Sequence, residues 1–448
     1  MQVEIQSRKF LILAIIGTRV RVGRGWIAAK RGTGEPGMTV HELRPPNGSK
    51  PADAPLSRKR AEKTDSLLER TRRVSAVAAQ YAADVDRLGR YPAEAIAAAK
   101  AERLMGVMAP RDLGGEDASL SELADVCYTL GQACASTAMV FAMHQVKVAC
   151  IVRHGQGSEW HANFLRKLTQ QQMLVASSTT EGQGGGNVRA SEAPVERAGV
   201  RFTLERDATV ISYGAYADAL ATTARRAPDS AASDQVLVVL IADDYTLAPT
   251  MSWDALGMRG TCSGGFNLRA DGLAAQIMPV PYEAIHAQSM VPAAHVLWSS
   301  VWAGIAAAAV ERARRHTRKA MRASGGEPPP STPYFSRATA SLRALRSLIA
   351  TTLDRFEAIA DDAEALSSVD FQTSISLLKV DASELAVAAV MSALRACGLA
   401  GYRNDTDVSI GRHLRDVLSS PIMINNDRIL ANVAAATLLS EVAASIRD

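Results

Sequence analysis

The stretch from Ser177 to Asn187 holds the residues of this chain best suited to bind a small ligand. Hydroxyl groups, among them Ser178 and Thr180, come first, Glu181 follows, and three consecutive glycines end at Gly186. A glycine-rich loop directly after a strand presents main-chain N–H groups to a phosphate or a flavin. The spacing is not Gly-x-Gly-x-x-Gly and a strand is predicted to follow, which disfavours a Rossmann-type site. A flexible turn without a ligand is the alternative.

A second stretch, Met391 to Thr437, combines a helix break with ionisable residues. An alanine-rich helical pattern stops at Gly398 and Gly401, where two glycines in four residues give the main chain access to positive φ and to close approach by another group. The helical pattern resumes after Asn426. Between these points lie a charged cluster and an apolar turn, namely Arg412, His413, Arg415, Asp416 and the residues from Pro421 to Ile424.

Three histidines are candidates for proton transfer. His144 is the notable polar residue of an apolar helical pattern over 136–153, His295 precedes a long helical pattern, and His413 lies between two arginines. Burial disfavours the charged form of an imidazole, so His144 is predicted to have a pKa below about 6.5 and to accept a proton from a substrate. A core histidine bonded to a main-chain carbonyl is the alternative for His144, and His413 is predicted to be structural.

Composition and charge limit the classes of protein that these residues belong to. The chain has 448 residues, of which 47% are hydrophobic and 5% aromatic, and this balance favours helical bundles over a β-sandwich. Residues 1–37 hold seven basic and two acidic residues, a net +5, so the other 411 residues are near −1. The body of the protein is therefore not predicted to bind nucleic acid.

The cysteines and apolar runs indicate neither a metal site nor a membrane span. The five cysteines form no Cys-x-x-Cys pair, so no metal or redox motif is predicted. An odd number of cysteines suits a reducing compartment, and we expect a cytoplasmic protein. No apolar run approaches the roughly 20 residues that a membrane span needs.

Hydrophobic periodicity predicts an α+β protein that is mostly α, in three parts after a disordered extension. Residues 1–53 form the extension, 54–172 an N-terminal α-helical domain, 173–288 a central β-barrel-like domain and 289–448 a C-terminal four-helix bundle. The predicted strands are 173–178, 201–204, 208–212, 235–241 and 266–268. The predicted helices of the bundle are 298–322, 334–363, 371–397 and 427–446.

Several motifs in this order resemble the acyl-CoA dehydrogenase family. They are the proline-led segment from Pro92 to Glu116, the Thr180-Glu181 loop, the strand from Ala208 to Ser212, the segment from Trp253 to Thr261, and the Gly398–Tyr402 turn. The resemblance covers about residues 56–448. It implies the family's fold, with helical domains on both sides of a β-domain, and a flavin cofactor, FAD.

The resemblance also implies roles for single residues. The flavin would be bound by Ser178, Thr180, Glu181, Ser212, Gly398, Gly401 and Asn426, with Ser212 donating a hydrogen bond to flavin N5. The substrate would lie near Gly186 and His295, and His144 would border the acyl cavity. The family implies a homotetramer, in which neighbouring subunits complete the flavin site.

The chain departs from the family where the catalytic base is expected. The usual Glu-Gly-Thr segment aligns with Ile424, Asn425 and Asn426, and the alternative position of the base, near His295, offers only Ala294 and its neighbours. Removing a proton from the α-carbon of an acyl thioester requires a base within hydrogen-bond reach. Neither Ile424 nor Ala294 is one.

Three functions therefore stay open. The resemblance implies an oxidoreductase that acts on an acyl thioester bound to CoA or to a carrier protein and passes electrons to an electron-transfer flavoprotein. The missing glutamate favours a two-component flavin monooxygenase that acts on a small secondary metabolite and receives reduced flavin from a reductase. It also favours a non-catalytic flavin-binding relative.

Overall fold

Residues 65–181 and 190–439 are described in the computed structural model and belong to one contact unit. The predicted extension over residues 1–53 and the loop glycine Gly186 lie outside them. The mostly helical α+β class is confirmed. Helices fill the first part of the described chain, strands the middle and long helices the last part.

Five helices form the N-terminal part. Ser66 begins the first helix with a capping box, in which its hydroxyl accepts from the Glu69 main-chain N–H and the Glu69 carboxylate accepts from the Ser66 N–H. Ser119 and Glu122 form the capping box that the sequence predicts for the third helix. The helices are α1 (Leu67–Leu88), α2 (Ala93–Ala101), α3 (Leu120–Ala133), α4 (Ala135–His154) and α5 (Glu159–Gln171).

The described residues of the central part form seven strands in two sheets. One sheet has the order β1-β4-β5 and the other β2-β3-β7-β6. In β3 exposed and buried side chains alternate, as expected for a sheet with one solvated face, whereas β5 is buried along almost its whole length. The strands are β1 (Val175–Ser178), β2 (Glu196–Ala198), β3 (Arg201–Ile211), β4 (Ala219–Arg225), β5 (Gln235–Ile241), β6 (Tyr245–Met251) and β7 (Gly264–Leu273).

Within the described residues, the C-terminal part has a helix at each of the four predicted places, although the first begins at Val291 instead of residue 298 and the second ends at Ala358 instead of residue 363. A short helix and one π-helical turn over His286–Met290 lead directly into a long helix, Val291–Ala323. This long helix packs against the third and fourth helices of the N-terminal part and against two other long helices of the C-terminal part. The helices are α6 (Tyr282–Ile285), α7 (Val291–Ala323), α8 (Thr332–Ala358), α9 (Ala363–Ser367), α10 (Val369–Tyr402), α11 (Gly411–Val417) and α12 (Asn426–Leu439).

Three of these helical stretches are long and apolar enough to cross a membrane, judged by length and composition alone and searched within the described residues. No such run was predicted from the sequence, because scattered polar residues interrupt each of the three stretches. The fold buries 83% of an apolar 18-residue segment within Ala135–His154 and 100% of such a segment within Tyr282–Ala323. In Val369–Tyr402 only 39% of the corresponding segment is buried, so α10 keeps an uncovered apolar surface.

The helix break predicted at Gly398 is present, although α10 continues past it to Tyr402. Gly398 has φ 57° and ψ −139°, a non-helical combination that favours glycine, so two helical segments of α10 meet there at a kink. The chain then turns back. The N–H of Ile410 donates to the carbonyl of Gly401, and α11 follows.

Candidate active site

A cavity of about 640 Å³ lies where the three parts of the fold meet. Its walls come from α4, the ends of β1 and β3, the segment before β7, the turn before α7 and the segment between α11 and α12. Its volume falls in the range of small-molecule sites, roughly 300–1,000 Å³. Most of the lining is apolar, with methionine and tryptophan side chains prominent: Met139, Met143, Trp253, Met290 and Trp298.

One wall carries a chain of three hydroxyl groups. The Thr261 hydroxyl donates to the Met258 carbonyl at 2.9 Å, and the Thr261 and Ser263 oxygens are 2.7 Å apart. The Ser263 and Ser212 oxygens are 2.8 Å apart. A carbonyl oxygen only accepts and each hydroxyl has a single proton, so Ser263 donates to Thr261 and Ser212 donates to Ser263. Ser212 therefore presents an acceptor to the cavity.

Glu181 lines the cavity and is part of a buried ion pair. Its carboxylate lies 3.1 Å from the Arg206 guanidinium and accepts from the Ser191 hydroxyl at 2.6 Å and from the Glu192 N–H at 2.7 Å. Arg206 also donates to the hydroxyl and carbonyl of Thr223, and burial lowers its pKa to about 10. The carboxylate is fully engaged, so its role here is to fix the strand end beside the cavity.

Strand alternation decides which residues of the first predicted stretch reach the cavity. Ser177, Thr179 and Thr180 line it, whereas Ser178 is buried away from it. The Ser178 hydroxyl has no hydrogen-bond partner in the structure. The predicted cofactor residues Thr180, Glu181 and Ser212 are thus brought together at the cavity, and Ser178 is replaced there by its two neighbours.

Ile424 lines the cavity at the position where the resemblance expects the catalytic base. Its φ of 56° is left-handed, a conformation that costs a residue with a Cβ roughly 1–2 kcal/mol. Asn425 follows with φ 35°, and its side chain accepts from the N–H of Asp427 in the first turn of α12. Strained main chain of this kind concentrates at ligand sites. The side chain itself is an alkyl group with no acid or base chemistry.

His144 does not line the cavity. Its Nε2 donates to the Met105 carbonyl at 2.8 Å and its Nδ1 accepts from the Val175 N–H at 3.0 Å. Burial lowers its pKa to about 4, so the ring is neutral at pH 7. This is the core arrangement that the sequence left as the alternative, and it leaves no ring nitrogen for a substrate. The ring joins α4 to the start of β1.

His295 does line the cavity, as the sequence predicts for a residue near the substrate. Its Nδ1 donates to the Ile375 carbonyl at 2.9 Å, and burial lowers its pKa to about 4. His413 is buried in α11, and burial together with Arg312 and Arg412 holds its pKa well below the usual value. The two histidines are therefore neutral at pH 7.

Asn426, Gly398 and Gly401 are not among the residues that line the cavity. The Asn426 side chain instead accepts from the Lys379 ammonium at 2.7 Å and donates to the Ser383 hydroxyl at 3.0 Å. This network lies between α10 and the start of α12, and a cofactor role for Asn426 has no support from it. Cofactor binding by Gly398 and Gly401 stays a prediction, and Gly186 lies outside the described residues.

The charged residues of the second stretch join the three parts of the fold beside the cavity. Arg415, which lines the cavity, pairs with Asp86 of α1 at 2.8 Å. Asp416 accepts from the Met258 N–H at 2.7 Å, and burial raises its pKa to about 6. A Cβ at Gly257 would lie 2.0 Å from the Arg415 carbonyl oxygen, so this close approach of two main chains requires glycine.

Lys147 is a cavity residue that the sequence analysis passed over. It lies one turn from Met143 on α4 and is 3% exposed. Burial lowers the pKa of its ammonium to about 8. The sequence does contain a signal for it, because Lys147 lies between valines in a mostly apolar helix, which is unusual for a solvated side chain.

The fold and the donor groups of the cavity define a class of protein, a flavin enzyme of the acyl-CoA dehydrogenase fold. The pyrimidine edge of a flavin carries both donors and acceptors, and the ring system is flat and apolar. A strand end with Thr179 and Thr180, a hydroxyl chain that ends at Ser212, and walls of methionine and tryptophan match both properties. These residues fit a bound flavin.

Sequence comparison identifies the family. The model of the acyl-CoA dehydrogenase N-terminal domain matches residues 62–172, and that of the C-terminal domain matches residues 296–420. Together they span more than half of the chain, which belongs to the acyl-CoA dehydrogenase family.

Curated relatives are more distant. Cyclohex-1-ene-1-carbonyl-CoA dehydrogenase of Geobacter metallireducens is 23% identical over 352 residues, 75% of this chain and 87% of that protein. The 3-sulfinopropanoyl-CoA desulfinase of Paraburkholderia xenovorans is 24% identical over 373 residues, 81% of this chain and 92% of that protein.

Solved structures share the fold at low identity. FMN-bound TdsC from Paenibacillus sp. A11-2, a dibenzothiophene monooxygenase, has a TM-score of 0.74 at 16% identity, over 83% of this chain and 96% of that one. The methanesulfinate monooxygenase of Pseudomonas fluorescens has a TM-score of 0.72 at 19% identity, over 84% and 98% of the two chains. The comparisons support an enzyme of this fold.

Proposed function

We propose that this protein is a two-component flavin-dependent monooxygenase, which receives reduced flavin from a separate reductase and oxidises a small metabolite. The observation that carries the proposal is the state of the carboxylates around the cavity. Among the described residues that line it, Glu181 is the one carboxylate, and it is engaged by Arg206, Ser191 and a main-chain N–H. Asp416 is buried nearby, but it is held by the Met258 N–H and does not line the cavity.

The hydroxyl chain supports a preference for reduced flavin. N5 of oxidised flavin accepts a hydrogen bond, whereas N5 of reduced flavin carries a proton and donates one. The family resemblance implies that Ser212 would lie beside N5, and the proton of Ser212 is already donated to Ser263. An acceptor at this place suits reduced flavin. This reverses the direction of the hydrogen bond that the sequence analysis expects from Ser212.

When bound, reduced flavin supplies two electrons to dioxygen, of which one atom enters the substrate and the other leaves as water. The chain's own contribution is to exclude bulk water and to orient the substrate. Met139, Met143, Trp298 and Ile424 form apolar walls, which disfavour loss of the reducing equivalents to solvent. An alkyl side chain at Ile424 suits this task and does not suit proton abstraction.

Oxidation of an acyl thioester is the second candidate function. Sequence similarity favours this function and the geometry does not. Two relatives that align with 75% of this chain are named as CoA-thioester dehydrogenases. The cavity would need a base that takes a proton from the α-carbon. His295 is neutral and lines the cavity. Its Nδ1 donates to a carbonyl, which leaves Nε2 as the acceptor nitrogen of the ring, so His295 is the candidate base for this reaction.

We infer that the flavin is FAD or FMN and that the protein forms homotetramers. The family resemblance supports FAD, and flavin-bound structural neighbours contain FMN. The uncovered apolar surface of α10, with Met391 41% and Leu399 72% exposed, supports burial against other subunits. Chromatographic identification of the extracted flavin tests the first inference. Light scattering tests the second, and a stable monomer overturns it.

The monooxygenase proposal is tested by comparing two half-reactions. Reduced FMN and FAD are titrated anaerobically, and we expect them to bind more tightly than the oxidised forms. The reduced complex is then mixed with ¹⁸O₂ and indole, a ligand bound by TdsC in one solved structure, and labelled product is measured. A panel of acyl-CoA thioesters is added anaerobically to protein with oxidised flavin. Bleaching of the flavin by any thioester overturns the monooxygenase proposal in favour of the dehydrogenase.

A further inference from the structure

We propose that Lys147 binds an oxyanion carried by the substrate, so that the cavity selects small apolar molecules that bear a carboxylate or a chemically similar group. The inference deepens the proposed function, on which it rests for the identity of the ligand as substrate. It concerns the end of the cavity formed by α4, α6 and the π-helical turn.

The first observation is that the Lys147 ammonium is buried with a single weak partner. The side chain is 3% exposed and lines the cavity, and its Nζ donates to the Met290 thioether sulfur at 2.8 Å. An ammonium has three donors, and a thioether is a weak acceptor. Among residues 65–181 and 190–439, Lys100 is the one lysine that forms an ion pair, and its partner is Asp218. Lys147 has no carboxylate partner among these residues.

The second observation is that the groups around Lys147 are neutral. Burial raises the pKa of the Cys150 thiol to about 12, and its sulfur lies 4.0 Å from that of Met290. Burial also raises the pKa of the Tyr282 phenol, which lines the same end of the cavity. None of these groups carries the negative charge that a buried cation needs, and an unpaired buried charge is costly. The open side of Lys147 is the cavity.

The third observation comes from a second buried lysine in the same fold. Lys379 donates to the Asn426 amide oxygen at 2.7 Å and lies 5.7 Å from the centre of the Trp302 ring. It does not line the cavity. The fold therefore supplies an acceptor and an aromatic face to the lysine that is closed inside the bundle. To Lys147 it supplies the weak Met290 sulfur acceptor and no aromatic face among the described residues, so the remaining donors of the ammonium are left for a ligand.

The class of ligand follows from the size and charge of the cavity. Arg415, another cation of its lining, is paired with Asp86, and His295 is neutral. A compact oxyanion forms short, charge-assisted hydrogen bonds with an ammonium. Methionine and tryptophan side chains cover most of the other walls and favour an apolar body. The ligand predicted by this arrangement is an apolar molecule with one terminal carboxylate, sulfinate or sulfonate.

The test uses phenylacetate and phenylacetamide, which have the same shape and differ in charge. Their affinities are measured by calorimetry on the full-length protein, wild type and Lys147→Met, with Lys379→Met as the matched control for loss of a buried lysine. We expect the wild type to bind phenylacetate at least about tenfold more tightly than the amide. We expect Lys147→Met to lose this preference and Lys379→Met to keep it. Lys147→Gln, which keeps a polar side chain without the charge, should behave as Lys147→Met does.

Two outcomes overturn the inference: equal affinities of the wild type for the acid and the amide, or a preference for the acid that survives in Lys147→Met. Its failure is distinguishable from that of the proposed function, because flavin binding is titrated separately. Carboxylate selectivity without any flavin binding contradicts the monooxygenase alone. Tight binding of reduced flavin without carboxylate selectivity contradicts the role of Lys147 alone.

Discussion

Replacing Lys147 by methionine is expected to stabilise the ligand-free protein. Burial lowers the pKa of Lys147 from 10.5 to about 8. One pKa unit corresponds to about 1.4 kcal/mol, so the ammonium lowers the free energy of unfolding at pH 7 by about 3 kcal/mol relative to a neutral side chain. Methionine has a similar length and no charge, and its neighbours are themselves methionines. We therefore expect Lys147→Met to gain up to about 3 kcal/mol at pH 7.

The gain should depend on pH in a defined direction. Between pH 8 and 10.5 the unfolded state binds more protons at this lysine than the folded state does, so the penalty carried by the wild type shrinks as the pH rises. The advantage of the variant should fall to about 2 kcal/mol at pH 9 and to less than about 1 kcal/mol at pH 10. Buried cysteines and tyrosines also titrate at alkaline pH. Their contribution to the free energy of unfolding is the same in both proteins, so it cancels when the two free energies are subtracted.

Urea unfolding of both proteins at pH 7, 9 and 10 measures these differences. Lys379→Met serves as the control, because burial lowers the pKa of Lys379 to about 8 as well. In that variant the Asn426 amide oxygen loses the donor at 2.7 Å, and an unsatisfied buried acceptor costs about 1–3 kcal/mol. The control should gain less than Lys147→Met. A variant less stable than the wild type at pH 7, or a difference constant from pH 8 to 10.5, refutes the reasoning.

Four further predictions concern other parts of the structure. Arg206→Met should lower the free energy of unfolding by about 3–5 kcal/mol by leaving the Glu181 carboxylate buried without its cation, and adding Glu181→Gln should restore part of the loss in urea titrations. Ser119→Ala should lower stability by about 1 kcal/mol through loss of the α3 cap, without changing flavin affinity. His144→Gln should lower the melting temperature and leave turnover per folded, flavin-loaded molecule intact, and a tenfold drop in that turnover would contradict the core role. Ser263→Ala should weaken reduced flavin more than oxidised flavin by freeing the Ser212 proton, and equal losses for the two forms would contradict the hydroxyl order.

The sequence predicted the architecture well because periodicity and caps act locally. The changes from helical to strand period locate the central sheets, and Ser119 with Glu122 starts α3 as expected. Three strands were missed, Glu196–Ala198, Ala219–Arg225 and Tyr245–Met251, and the last two have a physical reason. Ala219–Arg225 has a composition with low β-propensity and owes its conformation to burial between β1 and β5. Tyr245–Met251 contains Pro249, which disfavours a strand, and the structure places it at a sheet edge.

The candidate site was only partly predictable, because its members meet through tertiary packing. Thr180, Glu181 and Ser212 were found because motif and strand end coincide there. Ser177 lines the cavity and Ser178 does not, since neighbouring residues of a strand face opposite sides, and cofactor binding by Ser178 stays a prediction. No local pattern shows that Lys147 faces a cavity while Lys379 faces an amide, because the partners lie 143 and 47 residues away along the chain.

The Arg415–Asp86 pair joins residues 329 positions apart, and the cavity lies beside it. A ribosome adds residues in order, so α4, with Lys147, is made long before the segment that carries Arg415 and Ile424. During that interval the wall formed by Arg415, Leu418, Ser419 and the residues from Ile422 to Ile424 is missing, so the cavity is incomplete on that side. Flavin and substrate are therefore expected to join a finished polypeptide rather than guide its early folding, and premature termination before residue 415 should abolish ligand binding altogether.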